Sequence, residues 1–409
     1  MTLFGLAESS VLEYVRGVRA PQTAADAATT FASAAWSCIA EPGDGTAGFL
    51  VGRLGASTAL AAVIDPGMRA RLADALRDTG VDQRDDLAAR IDQGLQRWRP
   101  RLRSSDVIVA LQQAERSATK LLLPGDGLWP AAVDDLGAHA PLVLWWRGVP
   151  AAFESLTLSI ALVGARAASG YGEHVAMEVA AGLADRGFAI VSGAAYGIDG
   201  MAHRSALASR GLTVAFLAGG VDRFYPSGHD SLLARIAEVG AVVSELPCGS
   251  APTKWRFLQR NRLIAASSRA TVVLEAGWRS GSLNTAGHAA AMGRPLGAVP
   301  GPVTSPTSAG CHRLIREYGA VCVTNAAEMA ELVIAVGSEG AVPTPEGRSG
   351  PTSDEVRVRD ALSSRSARRV DDIAHRSGMA VAAVRGVLGA LALDGAASER
   401  PGGWVRAAD

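Results

Sequence analysis

Two stretches of the chain concentrate residues suited to holding an anion. "RFLQRNRLIAASS" places Arg260, Asn261 and Arg262 in a row near the start of a helical pattern. "VVLEAGWRSGSLNTA" places Ser280, Gly281, Ser282 and Thr285 where an apolar run gives way to the next helix. An arginine offers a forked donor that keeps its proton at any physiological pH. Glycine lets main-chain N–H groups approach a phosphate, serine adds a hydroxyl donor, and a helix N-terminus adds about half a positive charge. Two further loops share this make-up: "VGARAASGYGEHV", with Gly164, Arg166 and Ser169, and "SGAAYGIDGMAH", with Ser192, Gly193 and Gly197. Phe257, beside the arginines, is the candidate face on which a base could stack.

Other chemistries fit less well. The loop "VGARAASGYG" is neither a G-x-G-x-x-G fingerprint nor a Walker A loop, since no G-K-[ST] follows. Ser192, Asp199 and His203 could suggest a hydrolase triad, but Ser192 lies outside any G-x-S-x-G elbow, and Asp199 reads as a helix cap. Glu245 and Glu275 end apolar runs and read as acceptors for N–H groups of neighbouring loops. Cys38, Cys248, Cys311 and Cys322 have no zinc-like spacing, so neither a metal nor a cofactor is expected. Lys+Arg and Asp+Glu balance at 40 each, so an anion site must come from local placement of charge.

Placement depends on the surrounding elements. "LSIALVGA", "GFAIVSG", "GLTVAFLAGG", "GAVVSEL", "ATVVLEAG" and "PLGAVPG" are continuous apolar runs separated by helical stretches. Strands without alternation, joined by helices, predict a doubly wound, Rossmann-like parallel sheet covered on both faces. Ligands of such sheets sit beyond the carboxyl ends of the strands, where all four loops lie. The 409 residues divide into an Ala-rich helical domain (1–115), the α/β domain (116–336), a linker (337–353) and a C-terminal winged helix (354–409). Within the first, "CIAEPGDGTAGFLVGRLG" is similar to a helix-hairpin-helix, whose turn amides can hold a DNA phosphate. In the last, Val381, Val384, Leu388 and Leu391 form one apolar stripe, with Arg385 opposite. The N-terminus reads as no secretory signal, and no apolar run reaches the roughly 20 residues of a membrane span. A cytoplasmic protein is expected.

The loop motifs, in this order with "YPSGHDSLL", "SELPCGSAP" and "VPGPVTSPTSAGCHRLI", resemble the DNA-processing protein A family (DprA, or Smf). The resemblance covers most of 118–335, and the tail resembles that family's winged helix. It implies a non-catalytic, homodimeric single-stranded DNA binding protein that protects processed DNA and helps load the RecA recombinase, in transformation or general recombination. It also implies that Arg166, Ser192, Gly193, Gly197, Arg260, Asn261, Arg262, Ser280, Gly281 and Ser282 form the phosphate pocket. His229 and His312 stand where the family usually has Asn, and Phe257-Leu258 where it commonly has Phe-Pro. The competing reading is a nucleoside-monophosphate phosphoribohydrolase of the lysine-decarboxylase-like family. Against it, "GWRSGSLNTA" offers no glutamate on the helix turn that follows the strand.

Overall fold

A computed structural model describes residues 3–65, 84–334, 354–393 and 395–407. Residues 66–83 of the helical domain and the linker at 337–353 lie outside the described residues. All six apolar runs become strands: β3 (Ser159–Gly164), β4 (Ala189–Ser192), β5 (Thr213–Phe216), β6 (Ala241–Ser244), β7 (Ala270–Glu275) and β8 (Leu296–Ala298). The sheet is larger than those runs alone. β9 (Val321–Cys322) extends it in parallel, while β1 (Lys120–Leu122) and β2 (Leu144–Gly148) add an antiparallel edge on β6. The order is β1-β2-β6-β5-β4-β3-β7-β8-β9, and its seven central and outer parallel strands reverse direction of progress between β3 and β7. Residues of β4 to β7 are buried along their whole length, which is why those runs do not alternate.

Helices α1 (Glu8–Arg16), α2 (Ala24–Ile39), α3 (Gly45–Leu54), α4 (Ala56–Ile64), α5 (Arg84–Trp98) and α6 (Ser104–Arg116) form the N-terminal part. Their core runs on into the sheet: Trp36, Leu60 and Leu111 share one cluster with Trp145, Ala215 and Val242. After the short α7 (Ala151–Glu154), the crossover helices are α8 (Gly170–Asp185), α9 (Ile198–Ala208), α10 (Asp230–Val239), α11 (Lys254–Ser267) and α12 (Ser282–Ala291). They are followed by α13 (Ala309–Glu317) and α14 (Ala326–Ile334). The winged helix comprises α15 (Asp354–Ala361), α16 (Val370–Ser377), α17 (Val381–Leu393) and the hairpin of β10 (Ala397–Arg400) and β11 (Gly403–Arg406). Val384, Leu388 and Leu391 fill its core, and Arg385 is exposed.

In the turn between α2 and α3, several amides are engaged within the protein. Gly43 N–H points at the Glu245 carboxylate, 3.4 Å away, and the Asp44 carboxylate accepts from Thr46 and Ala47 N–H at 3.0 and 3.2 Å. The turn is packed on the α/β domain. At that junction the Glu41 carboxylate meets Arg101 at 2.6 Å and Arg256 at 2.8 Å. Arg357 of α15 lies close by, 4.9 Å over the ring of Trp255, and donates to the Ser377 and Gly378 carbonyls at 2.8 and 3.1 Å. Burial alone would push the Glu41 carboxyl up, but the field of Arg256 and Arg101 outweighs it and holds the group well below the usual carboxylate range. Among the described residues, no single helix is long and apolar enough to cross a membrane.

Candidate nucleic-acid interface

A crevice of about 920 Å³ opens beyond the carboxyl ends of β3 and β7. This is where the strand order reverses, so the loops leaving the two strands diverge and leave a gap. Helix α11 crosses from β6 to β7 and forms one wall. Phe257, Arg260, Asn261 and Ile264, spaced at i, i+3, i+4 and i+7, all line the gap because that spacing shares one helical face. Arg166, from the loop after β3, holds its guanidinium 4.7 Å over the Phe257 ring; that of Arg260 lies 5.7 Å from the same ring. Tyr225 packs against Phe257 at 5.7 Å and is itself half exposed.

The opposite wall is the Ser280-Gly281-Ser282 turn at the start of α12, with Thr285 one turn further in. The turn is fixed from both sides. Ser280 and Ser282 hydroxyls bond each other at 2.7 Å, and the Asn261 amide donates to the Gly281 carbonyl and to Asn284 Oδ1, both at 3.3 Å. Asn261 therefore ties the arginine wall to the serine wall.

Arg260 is almost fully buried and donates to the carbonyls of Gly193 (2.6 Å), just after β4, and Phe216, the last residue of β5. Burial pulls its guanidinium down to about 10, against the support of Asp199. Burial raises the Asp199 carboxyl, although Arg260 and the N–H groups of Ala195 and Gly193 favour its charged form. Arg166, Lys254, Arg260 and Arg279 line the crevice against two carboxylates, Asp199 and Asp360. The local balance is cationic although the chain as a whole is neutral.

The structure separates the remaining residues singled out in the sequence. Gly164 lines the crevice, whereas Ser169 lies behind it. Ser169 donates its N–H and hydroxyl to the Glu275 carboxylate, at 2.9 and 2.6 Å, and caps α8 by accepting from Gly172 N–H. Ser192 is buried and donates to the Leu162 carbonyl at 2.7 Å. Gly197 has φ +73°, and a Cβ there would come 2.3 Å from the Ala165 carbonyl, so it lets the start of α9 close on the loop after β3. Arg262 points away from the crevice and pairs with Glu245 beside the α2–α3 turn. No triad forms from Ser192, Asp199 and His203: His203 is buried against the Thr213 hydroxyl at 2.7 Å. Its imidazole is pushed down to about 3, chiefly by burial. His229 bonds the Ala194 carbonyl and His312 the Gly301 carbonyl, both at 3.0 Å, so each holds a loop.

Among the lining residues not singled out in the sequence are two charged ones, Arg279 and Asp360. Arg279 directly precedes the serine turn, so its signal was present. Asp360 comes from the winged helix, with one carboxylate oxygen buried and without a hydrogen-bond partner, and nothing local to it signals that position. Among the described residues, no group of three or more His, Cys, Asp or Glu side chains is arranged to hold a metal ion.

Comparison with known proteins places these walls in a family. Residues 120–334 match the model described as DNA recombination-mediator protein A, and residues 342–403 match the DprA winged helix domain. The chain belongs to the DprA family. It is 49% identical over 309 residues to a putative DNA processing protein DprA of Mycobacterium tuberculosis H37Rv, covering 72% of this chain and 78% of that relative. Protein Smf of Escherichia coli K12 is 38% identical over 261 residues, covering 61% and 68% of the two chains. The X-ray structure of DprA from Streptococcus pneumoniae superposes with a TM-score of 0.53 at 29% identity, covering 73% of this chain and 96% of that one. Both walls of the crevice, from Gly164 to Thr285, fall within the first DprA match, and Asp360 falls within the second.

Proposed function

We propose that this DprA-family recombination mediator binds single-stranded DNA along the crevice, protects it, and helps load the RecA recombinase, acting as a cytoplasmic homodimer. The observation that carries the binding site is the placement of Arg166 and Arg260 on the Phe257 ring, across the gap from the serine turn. Fixed cations beside an aromatic face suit a strand whose phosphates and unpaired bases are both accessible; each stacked base contributes roughly 1–3 kcal/mol. A duplex hides its base faces and gains only the cationic half of that site. The mediator role is supported by family membership, and the RecA partnership and the homodimer by the sequence resemblance.

A binding role is favoured over turnover. Of the two carboxylates that line the crevice, Asp199 is engaged by two main-chain N–H groups and Asp360 comes from the winged helix, and the loop after β7 carries no glutamate of the kind the phosphoribohydrolase reading needs. The decisive measurement is fluorescence anisotropy with a labelled single-stranded oligonucleotide, competed by duplex, over a salt series. Single-strand preference with a steep negative log–log slope is the expected result. No binding at low salt would remove the reading and direct attention to mononucleotide hydrolysis.

A further inference from the structure

Trp278 is the most exposed aromatic ring among the described residues, at 54%. It stands between Gly277 and Arg279, both of which line the crevice, two residues before the serine turn begins at Ser280. The ring is not loose. Arg313 of α13 lies 5.1 Å over it and 5.5 Å over Tyr318, so one guanidinium contacts both aromatic rings. Glu317 fixes that guanidinium at 2.8 Å. The loop below is pinned as well: Gly310 N–H donates to the Ala276 carbonyl at 2.7 Å, and Ser280 N–H to the Gly277 carbonyl at 3.1 Å. A Cβ at position 310 would lie 2.6 Å from the Gly277 carbonyl oxygen, so α13 touches the loop as closely as a glycine permits.

A rigidly supported indole that leaves half its surface in water forgoes apolar burial unless something flat covers it. The surrounding charges say what that is. Arg279, Arg313 and Arg316 stand on this loop and helix against Glu317, which pairs with the last two. A second copy of the chain joined here by two-fold symmetry would oppose this cationic face to itself. A nucleic acid would instead bring phosphates to the arginines and a base to the indole. We propose that Trp278 is a second stacking platform for single-stranded DNA, receiving a base of the strand as it leaves the serine turn on the side away from Phe257. This rests on the reading of the crevice as a single-strand site.

The test compares full-length wild type with Trp278→Ala and Trp278→Phe, by anisotropy, on oligothymidylate and on an oligonucleotide of equal length carrying abasic sites through its centre. The second probe keeps the phosphates and removes the bases. Wild type should bind oligothymidylate more tightly. Trp278→Ala should weaken oligothymidylate binding about tenfold while leaving the abasic probe nearly unchanged, and Trp278→Phe should restore most of the loss. Equal weakening on both probes, or no weakening on either, overturns the platform while the crevice reading stands. So does a change of sedimentation coefficient with unchanged binding, which would place a second copy on the indole. Failure of wild type to bind either probe removes both.

Discussion

Arg260 reaches the Gly193 carbonyl through a gap that a glycine alone leaves: a Cβ at position 193 would lie 2.3 Å from the guanidinium nitrogen that makes the bond. The end of β4 is thereby moulded around a side chain from α11, and the position of the cation depends on the absence of one methyl group. Gly193→Ala should push Arg260 off both carbonyls. Overpacking of this kind costs about 1–3 kcal/mol, read as a lower urea midpoint, and single-strand affinity should fall with it. Unchanged stability and affinity would mean that the guanidinium has other places to go.

The two arginines of "RNR" should separate by experiment. Arg166→Ala and Arg260→Ala should each flatten the salt dependence of single-strand binding by about one unit of slope. Arg262→Ala should leave the slope alone and instead destabilise the fold by about 3–5 kcal/mol, because the buried Glu245 carboxylate loses its partner. A reduced slope for a stably folded Arg262→Ala variant would return that residue to the DNA site.

Asp360 brings a negative charge from the winged helix to a cationic crevice, with one oxygen unsatisfied. A phosphate bound in the crevice would sit near it. Asp360→Asn keeps the shape and removes the charge, and should tighten single-strand binding about fivefold, the effect of about 1 kcal/mol of relieved repulsion. Equal or weaker binding in the variant would show that the carboxylate is not felt at the site.

His203 sets an acid limit on stability. Burial holds its imidazole down to about 3, with His229 and Arg260 adding to the shift, against 6.5 when unperturbed. Between those values the unfolded chain binds a proton that the native chain refuses, so its contribution is lost as pH falls below about 6.5. The slope is about 1.4 kcal/mol per pH unit at most. His203→Gln keeps a polar partner for Thr213 and removes the titration. Urea unfolding at pH 7, 6 and 5 should show a shallower decline for the variant, and parallel declines would exonerate His203.

Much of the sheet could be read from the chain because strands buried on both faces must be continuously apolar, as in "TVVLEAG" and "AIVSGAA". The edge strands escaped that logic: Lys120–Leu122 is too short to carry a pattern, and Leu144–Gly148 is marked chiefly by its tryptophans. The site was legible as a meeting of loops, since strand ends fix where loops go. The roles inside "RNR" were not, and the reason is helical geometry. Each residue turns by about 100°, so Arg260 and Arg262, two positions apart, face nearly opposite ways. One enters the crevice and the other meets Glu245. In a chain whose basic residues are nearly all arginine, the partners of Glu41 carried no signal at all.

Glu41 works as a keystone does. One carboxylate stands among guanidinium groups from the helical domain, the α/β domain and the winged helix, which would repel one another without it. The sequence looks like three separable modules, yet a chimaera that took any one of them from a protein lacking the matching residue would leave an arch with a stone missing. These parts are exchangeable only as a set.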